Sequence, residues 1–461
     1  MFSLVSRLEG ILFPFNWPLP DLPLEIWFEI FEFAIFVPQP DSPSPPTAFA
    51  SKPFTRNVTG TNTPSTSIRT KLSLILVCQA WRQVALRILY RQVVVRSPAR
   101  ANSILNVLLQ SSVGVSSGHG QWTRHIEVYT HARGSNSIEY LKTLFRIFQC
   151  CPRLHKLTGI WNHRLPLEFM VGLSKLYGPT LLGLSWGEKE DRASSEPDNT
   201  ITSLRFFASF QSLTLLDLRF FKGSSVTSYM PEHPRTFTLP YVRDLIISTT
   251  PSSIIAATCL HLPALRHLSL RAGPAPGVAD AVIVEFLNKH GPSLQEVDLT
   301  SPALDSEPDP DSSDVRRTAP HIQPHLFLES NRCPNLTTFI YPITSPRLTE
   351  FIHPNMRRIG LRGIHGLFPD KSPQTRDQLT DINLDRFPNL EVVKTIGFLV
   401  DSNSDPLNRE VFIWWTERFE KQGIDLLDGE GVLWAYDDEP PPPKEGGLEP
   451  VKTPAEVNQK L

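Results

Sequence analysis

The stretch SIEYLKTLFRIFQCCPRLHKLTGI, residues 137–160, contains one complete unit of the pattern that decides the fold. Its first half predicts an amphipathic helix, because apolar residues recur three and four positions apart at Ile138, Leu141, Leu144, Phe145 and Phe148. Cys151-Pro152 then stops the helix. The second half, PRLHKLTGI, places Leu154 and Leu157 in a Pro-x-Leu-x-x-Leu pattern, which we interpret as a short, half-buried strand. The unit is therefore predicted to be helix, turn and strand.

The strand half of this unit recurs along the chain as Pro-x-Leu-x-x-Leu-x-Leu, with a weaker copy from residue 122. The first apolar positions of the nine clear copies are Leu154, Leu181, Leu213, Val242, Leu265, Leu294, Leu336, Met356 and Leu390. One unit cannot bury both of its faces, but stacked units can. The repeat predicts an α/β solenoid, with parallel strands on the concave side and helices outside. A non-repetitive, leucine-rich α/β domain is the alternative.

The segments that flank the repeats differ from them in composition. Residues 38–70 hold seven Pro and twelve Ser or Thr, which predicts a disordered insert. The tail 437–461 is predicted to be disordered for the same reason, and residues 1–18 are interpreted as an N-terminal extension. REVFIWWTERFEKQG, from Arg409, places Phe412, Trp415 and Phe419 on one helix face before Gly423. With the following IDLLDGEGVLWAY it is interpreted as a C-terminal cap of the repeats.

Composition and motifs argue against most kinds of chemistry. The formal net charge of −2 favours neither nucleic acid nor an anionic membrane as a partner. The five Cys are scattered without zinc spacing, which indicates reduced thiols. Asp309, Asp311 and Asp314 resemble a calcium loop only in part, because its glycine position is Asp314 and its closing acid would be Pro320. We expect no cofactor, no metal and no enzymatic activity, and a cytoplasmic or nuclear location.

A second informative stretch is LPLEIWFEIFEFAIF, residues 22–36, which is apolar on nearly every helical face. Glu25, Glu29 and Glu32 form its only charged stripe. KLSLILVCQAWRQVALRILYRQVVV, from Lys71, continues the helical pattern beyond the insert. Together they predict a small three-helix domain, residues 19–97, with more apolar surface than its own core can use. Such a surplus predicts a protein partner.

Leu22-Pro23-x-Glu25-Ile26, Ile30-Phe31 and Val77-Cys78-x-x-Trp81-Arg82 resemble an F-box, as found in a large fungal group. The resemblance covers about 45 motif residues, and the insert departs from it. The repeats, residues 98–436, are similar to degenerate leucine-rich repeats that lack the usual Asn or Cys after the last Leu. The resemblance implies a substrate receptor of a Skp–cullin–F-box ubiquitin ligase. Its F-box binds the Skp-type adaptor, and through it a cullin–RING ligase, while its repeats hold a protein target.

Two sets of candidate binding residues follow. By matching motif positions, the residues that face the adaptor or support its binding are Leu22, Pro23, Ile26, Ile30, Phe31 and Val77; Trp81 and Cys78 are expected to be structural. On the concave face, the residues that alternate with buried Leu are Asp217, Arg219, Asp244, His267, Arg271, Glu296, Asp298, Arg358, Arg362 and Lys394. These are candidates for target binding, although each is individually more typical of solvated surface. Their mixed signs predict no particular target charge.

Two other functions remain open. The chain could be a scaffold that binds the Skp-type adaptor without recruiting a cullin. It could also be an enzyme with a site in the repeats, which would require a deep pocket lined by convergent His, Asp or Arg residues.

Overall fold

The structure is a computed structural model, and it describes residues 22–35, 49, 64–112, 118–188, 198–222, 237–271, 280–299, 322–329, 331–348, 351–364, 366–368, 372–400 and 406–435. The chain divides into two compact units, Met1–Ile322 and Gln323–Leu461. The predicted extension 1–18, insert residues 38–48 and 50–63, the partial calcium loop at Asp309 and the tail 437–461 lie outside the described residues.

The described part of unit 1 starts with three helices: α1 Leu24–Ala34, α2 Pro64–Val77 and α3 Gln79–Arg91. Pro23 lies at the N-cap of α1, where its carbonyl accepts from the amides of Ile26 and Trp27. Helices α2 and α3 are separated by Cys78, whose backbone is extended and whose Sγ accepts from the Trp81 amide at 3.4 Å. Cys78 is therefore structural, because it begins a new helix.

The predicted insert is too long at its C-terminal end, because α2 begins at Pro64 and not near Lys71. Proline suits the start of a helix, where an amide has no partner within the helix. The Ser67 hydroxyl is buried and donates to the Ile35 carbonyl at 2.8 Å. Serine and threonine in this segment thus lie in a packed helix, a position that composition does not distinguish from disorder.

The strands of unit 1 are β1 Gln92–Val95, β2 His125–Tyr129, β3 Lys156–Trp161, β4 Gly183–Glu188, β5 Leu215–Asp217, β6 Phe237–Thr238, β7 Asp244–Ser248, β8 Leu260–His261, β9 His267–Arg271 and β10 Glu296–Leu299. Strands β1, β2, β3, β4, β5, β7, β9 and β10 pair in that order, always parallel. Strands β6 and β8 form a separate parallel pair. Because β1 pairs with β2, residues 92–95 belong to the sheet and not to the predicted domain 19–97.

Helices connect most neighbouring strands of unit 1: α4 Pro98–Ser112, α5 Ile138–Gln149, α6 Leu167–Tyr177, α7 Asp198–Ala208, α8 Pro251–Cys259 and α9 Asp280–His290. In α5 the predicted apolar face is rotated slightly. Leu141, Leu144 and Phe148 are buried, whereas Ile138 at the first position is exposed. Tyr140 and Ile147 complete the buried face, because the neighbouring helices α4 and α6 flank α5.

The nine first apolar positions of the repeat are all buried, so the predicted phase is confirmed. A backbone ladder joins successive copies at the residue before each strand. The carbonyl of Arg124 accepts from the amides of His155 and Lys156, and that of His155 accepts from Leu182 and Gly183, all at 2.9 Å. The same two-amide pattern continues to β10 in unit 1. Main-chain hydrogen bonds therefore join successive repeats at the amino ends of their strands.

Unit 2 contains α10 His325–Leu328, β11 Thr338–Pro342, β12 Arg358–Arg362, α11 Pro373–Asp381, β13 Val392–Ile396, α12 Pro406–Glu420 and β14 Asp425–Leu427. Its four strands pair in chain order and in parallel. Phe412, Trp415 and Phe419 are buried on one face of α12, as predicted, and Gly423 follows with a positive φ of 71°. The α/β class is confirmed, and the parallel strands within each unit are compatible with a solenoid-like repeat.

Candidate functional site

The core of the N-terminal helices contains Phe31, Ile35, Val84, Ala85 and Ile88. Trp81 packs against it, with its ring centroid 4.9 Å from that of Phe31 and 5.3 Å from that of Trp27. This arrangement agrees with the structural role expected of Trp81. Phe31, which the sequence assigns to the adaptor-binding set, is only 1% exposed. It can therefore support such a surface from below but does not lie on it.

The opposite face of α1 carries Ile26, Ile30 and Phe33, and with Leu22, which precedes the helix, they form what we define as the apolar stripe. Spacings of four and three residues place Ile26, Ile30 and Phe33 on one side of the helix. Ile30 is 43% exposed and Phe33 is 86% exposed, although both are large apolar side chains. Two predicted adaptor residues, Ile26 and Ile30, thus share an exposed helix face with Phe33, which the prediction did not include, and the predicted Leu22 is exposed just before the helix. The period of the stripe was the signal that could have found it.

Helix α2 carries a second exposed apolar stripe, which contains Ile68, Leu72 and Leu76 at spacings of four residues. Val77, another predicted adaptor residue, is exposed at the end of the same helix. Ile68 could not be recognised from the sequence, because it fell inside the predicted insert. Contiguous apolar side chains on a water-exposed surface mark sites of protein contact.

The helical part is held against the first repeat by α3. The Arg87 guanidinium lies 5.8 Å from the ring centroids of both Phe28 and Trp122. Next to it, the ring of His119 stacks on those of Tyr90 and Trp122. Burial and the nearby Arg82 lower the pKa of His119, which favours its neutral form at neutral pH. We define Phe28, Arg87, Tyr90, His119 and Trp122 as the aromatic joint, which connects the N-terminal helices to the first repeat. These contacts do not require a charged histidine.

The predicted concave residues of unit 1 lie on one polar face of the sheet, as alternation requires. The register aligns Asp244, His267 and Glu296 in one row across β7, β9 and β10. It aligns Asp217 and Asp298 in the next row, with Ile246 and Ser269 between them. The side chains of the alternate positions, Leu245, Leu268 and Val297, are buried.

Three of the candidate target-binding residues, Asp217, Asp244 and Lys394, are buried, although the sequence predicts solvent-exposed side chains there. Asp217 is buried beneath Arg219 and accepts from the Ser185 hydroxyl at 3.0 Å. Asp244 is buried because it accepts from His267 at 2.6 Å. In unit 2, Lys394 is 1% exposed, because the turn at Gly431 closes over it. Neighbouring side chains and the C-terminal cap thus cover the charged groups of these three residues, which leaves little of them for a partner to contact.

The remaining candidates retain accessible side chains. In unit 1 these are Arg219, His267, Arg271, Glu296 and, to a smaller extent, Asp298; in unit 2 they are Arg358 and Arg362. His267 lies between Asp244 and Glu296 in the register. Its hydrogen bond to Asp244 is the largest cause that raises its pKa, burial opposes this, and the charges of Asp244 and Glu296 add to it. The His267 charge thus depends on pH near neutrality.

The Asp244–His267 pair is expected to stabilise unit 1 at slightly acidic pH. Because the folded-state pKa of His267 is raised above 6.5, the stabilisation is fully present below that value and is lost as pH rises through the folded-state pKa. The His267 side chain is 37% exposed, so the contribution is at most about 1 kcal/mol. Urea unfolding at a series of pH values should show that the stability of the wild type relative to His267→Gln falls as pH rises through the folded-state pKa of His267. A stability difference that does not change with pH would contradict the assignment.

Within the described ranges, no group of three or more His, Cys, Asp or Glu residues is arranged to hold a metal ion. Over the same ranges, no helix is both long and apolar enough to cross a membrane. All five Cys lie in those ranges as free thiols. Burial raises the pKa of the Cys151 and Cys333 thiols to about 12, which disfavours the reactive thiolate.

Comparison with solved structures yields similarities to several chains, and two of them are given below. No family model matches the chain, and no curated protein matches it. A crystal structure of a protein from Bacteroides fragilis is 14% identical, with a TM-score of 0.31, over 62% of this chain and 68% of that chain. A chain in the crystal structure of the yeast Rad7 and Elc1 complex is 12% identical, with a TM-score of 0.24, over 73% of this chain and 94% of that chain.

Proposed function

We propose that this protein is the substrate-recognition subunit of a Skp–cullin–F-box ubiquitin ligase. The helical part, built from α1, α2 and α3, binds the Skp-type adaptor, and the repeats hold a protein target. The chain itself catalyses no reaction, since other subunits transfer ubiquitin. The observation that carries the proposal is the exposed stripe Leu22, Ile26, Ile30 and Phe33, which lies within the F-box-like motif and faces away from the core.

The physical argument begins with the cost of exposing this stripe to water. Fully burying an Ile or Phe side chain contributes about 1.5–3 kcal/mol, and four partly exposed side chains leave much of that unrealised. The α1 helix cannot bury them internally, because Phe31 and Ile35 already direct its other face into the core. Helices of an adaptor would cover the stripe and recover this free energy.

Polar contacts at the border of the stripe would add specificity. The Glu25, Glu29 and Glu32 side chains are exposed beside it, and Glu32 forms an ion pair with Arg91 on α3. An apolar centre with charged residues around it is the usual composition of a specific protein interface. The aromatic joint at Arg87 then sets the position of the repeats, and of any bound target, relative to the adaptor.

Co-purification tests this function directly. The tagged chain is expected to recover the Skp-type adaptor and, through it, a cullin. Recovery of the adaptor without a cullin, from cells in which a known F-box protein recovers both, would instead identify a scaffold. Recovery of neither would overturn the proposal.

A further inference from the structure

The polar face in unit 1 carries three arginines at one end of its strands. Its middle row contains the carboxylates of Glu127, Asp217 and Asp298, one each on β2, β5 and β10. The row at the carboxyl ends of the strands contains three arginines, which we define as the arginine edge: Arg96 after β1, Arg219 after β5, and Arg271 at the end of β9. The arginines therefore lie one row beyond these carboxylates, toward the carboxyl ends of the strands.

Arg219 is held rigidly by the carboxylate beneath it. Its Nε donates to the two carboxylate oxygens of Asp217 at 3.0 and 3.1 Å, and its Nη2 donates at 2.8 Å. The guanidinium also lies 5.4 Å from the ring centroid of Phe220. The Arg219 side chain nevertheless remains 38% exposed, whereas that of Asp217 is 5% exposed. The pair thus presents a fixed guanidinium at the surface and hides its counter-charge.

The other two arginines have looser contacts with neighbouring groups. The Arg271 Nη2 lies 3.9 Å from a carboxylate oxygen of Asp298, which is the less exposed partner. The exposed Arg96 lies with its guanidinium 5.8 Å from the ring centroid of Tyr129. The Tyr129 hydroxyl donates to Glu127 at 3.0 Å, so the ring is also fixed. Arginine and aromatic side chains of limited freedom are those that contribute most to binding at protein interfaces.

We propose that the arginine edge binds an acidic segment of the protein target. This inference rests on the proposed function and adds the chemical class of the target. Planar guanidiniums that are already oriented bind carboxylates through two parallel hydrogen bonds and lose little entropy on binding. Phe220 and Tyr129 provide apolar contacts for a residue between the acidic ones.

The dimensions favour a short acidic segment over a nucleic acid. With strands about 4.8 Å apart, the main chains at Arg219 and Arg271 are two strand spacings apart, or about 10 Å. The main chains at Arg96 and Arg219 are four spacings apart, or about 19 Å. A peptide with separated acidic residues matches these intervals. A continuous polyanion is disfavoured, because the net charge of the chain is −2 and gives no overall attraction for it.

Fluorescence anisotropy with the full-length chain tests this inference. The probe is a labelled peptide of alternating glutamate and phenylalanine, and the same peptide with glutamine for glutamate is the control. Arg271→Gln and Arg96→Gln should each weaken binding of the acidic probe by about tenfold. Arg219→Gln is combined with Asp217→Asn, so that no buried carboxylate is left unpaired. Circular dichroism confirms that each variant is folded.

Arg243→Gln is the matched control variant, because Arg243 is exposed on unit 1 just before β7, at the opposite ends of the strands. It should bind the acidic probe like the wild type. Equal binding of the glutamine peptide, unchanged binding by the arginine-edge variants, or tighter binding of a single-stranded oligonucleotide would each overturn the inference. Adaptor pull-down with the same variants separates the two proposals. Variants that no longer bind the acidic probe but still bind the adaptor support acidic-segment binding at the arginine edge. If the wild type binds the probe but not the adaptor, only the ligase role is refuted.

Discussion

Replacing Ile30 with aspartate is expected to abolish binding of the Skp-type adaptor while the chain stays folded. Ile30 is 43% exposed, so the new carboxylate remains hydrated in the free protein. On binding, it would be buried against apolar side chains without a partner, which costs several kcal/mol. A loss of about 3 kcal/mol or more weakens binding by a factor on the order of one hundred. Pull-down and isothermal titration measure the loss, and circular dichroism shows the retained fold.

Ile138→Asp is the matched control for this variant. Ile138 is also an exposed apolar residue at 69%, but it lies at the start of α5, on a helix of the repeats. It should bind the adaptor like the wild type. Full adaptor binding by Ile30→Asp, or an equal loss in Ile138→Asp, would contradict the placement of the interface on α1.

Replacing Phe31 with alanine is expected to destabilise the N-terminal helices strongly, although Phe31 is the direct neighbour of Ile30. The Phe31 ring is 1% exposed and contacts the rings of Trp27 and Trp81, with centroids 5.8 and 4.9 Å away. A buried Phe→Ala change costs about 3–5 kcal/mol, from lost burial and from the cavity that remains. Hydrogen exchange of residues 22–35 and 79–91 should accelerate, and the helices should unfold at lower urea concentration.

Phe33→Ala makes the same chemical change two residues further along α1. Because Phe33 is 86% exposed, its loss should change the free energy of unfolding by less than about 0.5 kcal/mol. It should nevertheless weaken adaptor binding, since Phe33 belongs to the exposed stripe. Similar stability losses in the two variants would show that Phe31 does not anchor the core.

The repeat was readable from the sequence because its physical cause is local. Each Pro-x-Leu-x-x-Leu-x-Leu copy must bury its leucines, and the period of two in a strand decides which positions those are. Leu154 and Leu265 are accordingly buried in the predicted phase. The boundary errors arose where a local signal was ambiguous. The segment around Ser67 has the composition of a loop, and RQVVV continues a helical pattern but pairs as β1.

The candidate sites divide in the same way. A period of three and four residues places Ile26 and Ile30 on one helix face, but only the packed core shows that Phe31 faces inward. The sequence identifies Asp217, Arg219, Arg271 and Asp298 as alternating polar residues of mixed sign. It cannot indicate which residues of distant strands share a row, because that depends on the register between strands far apart in the chain.

The sequence by itself thus determined the α/β repeat, the apolar N-terminal helices and the sheet face on which the polar residues lie. These depend on the periodicity of single segments. Only the tertiary structure decided that Lys394 is covered by the C-terminal turn, that Asp217 and Asp244 are buried against Arg219 and His267, and that three arginines lie along one edge of the sheet. Each of these depends on contacts between segments 20 or more residues apart or on local packing, where burial and Coulomb energies are set by distance and not by order in the chain.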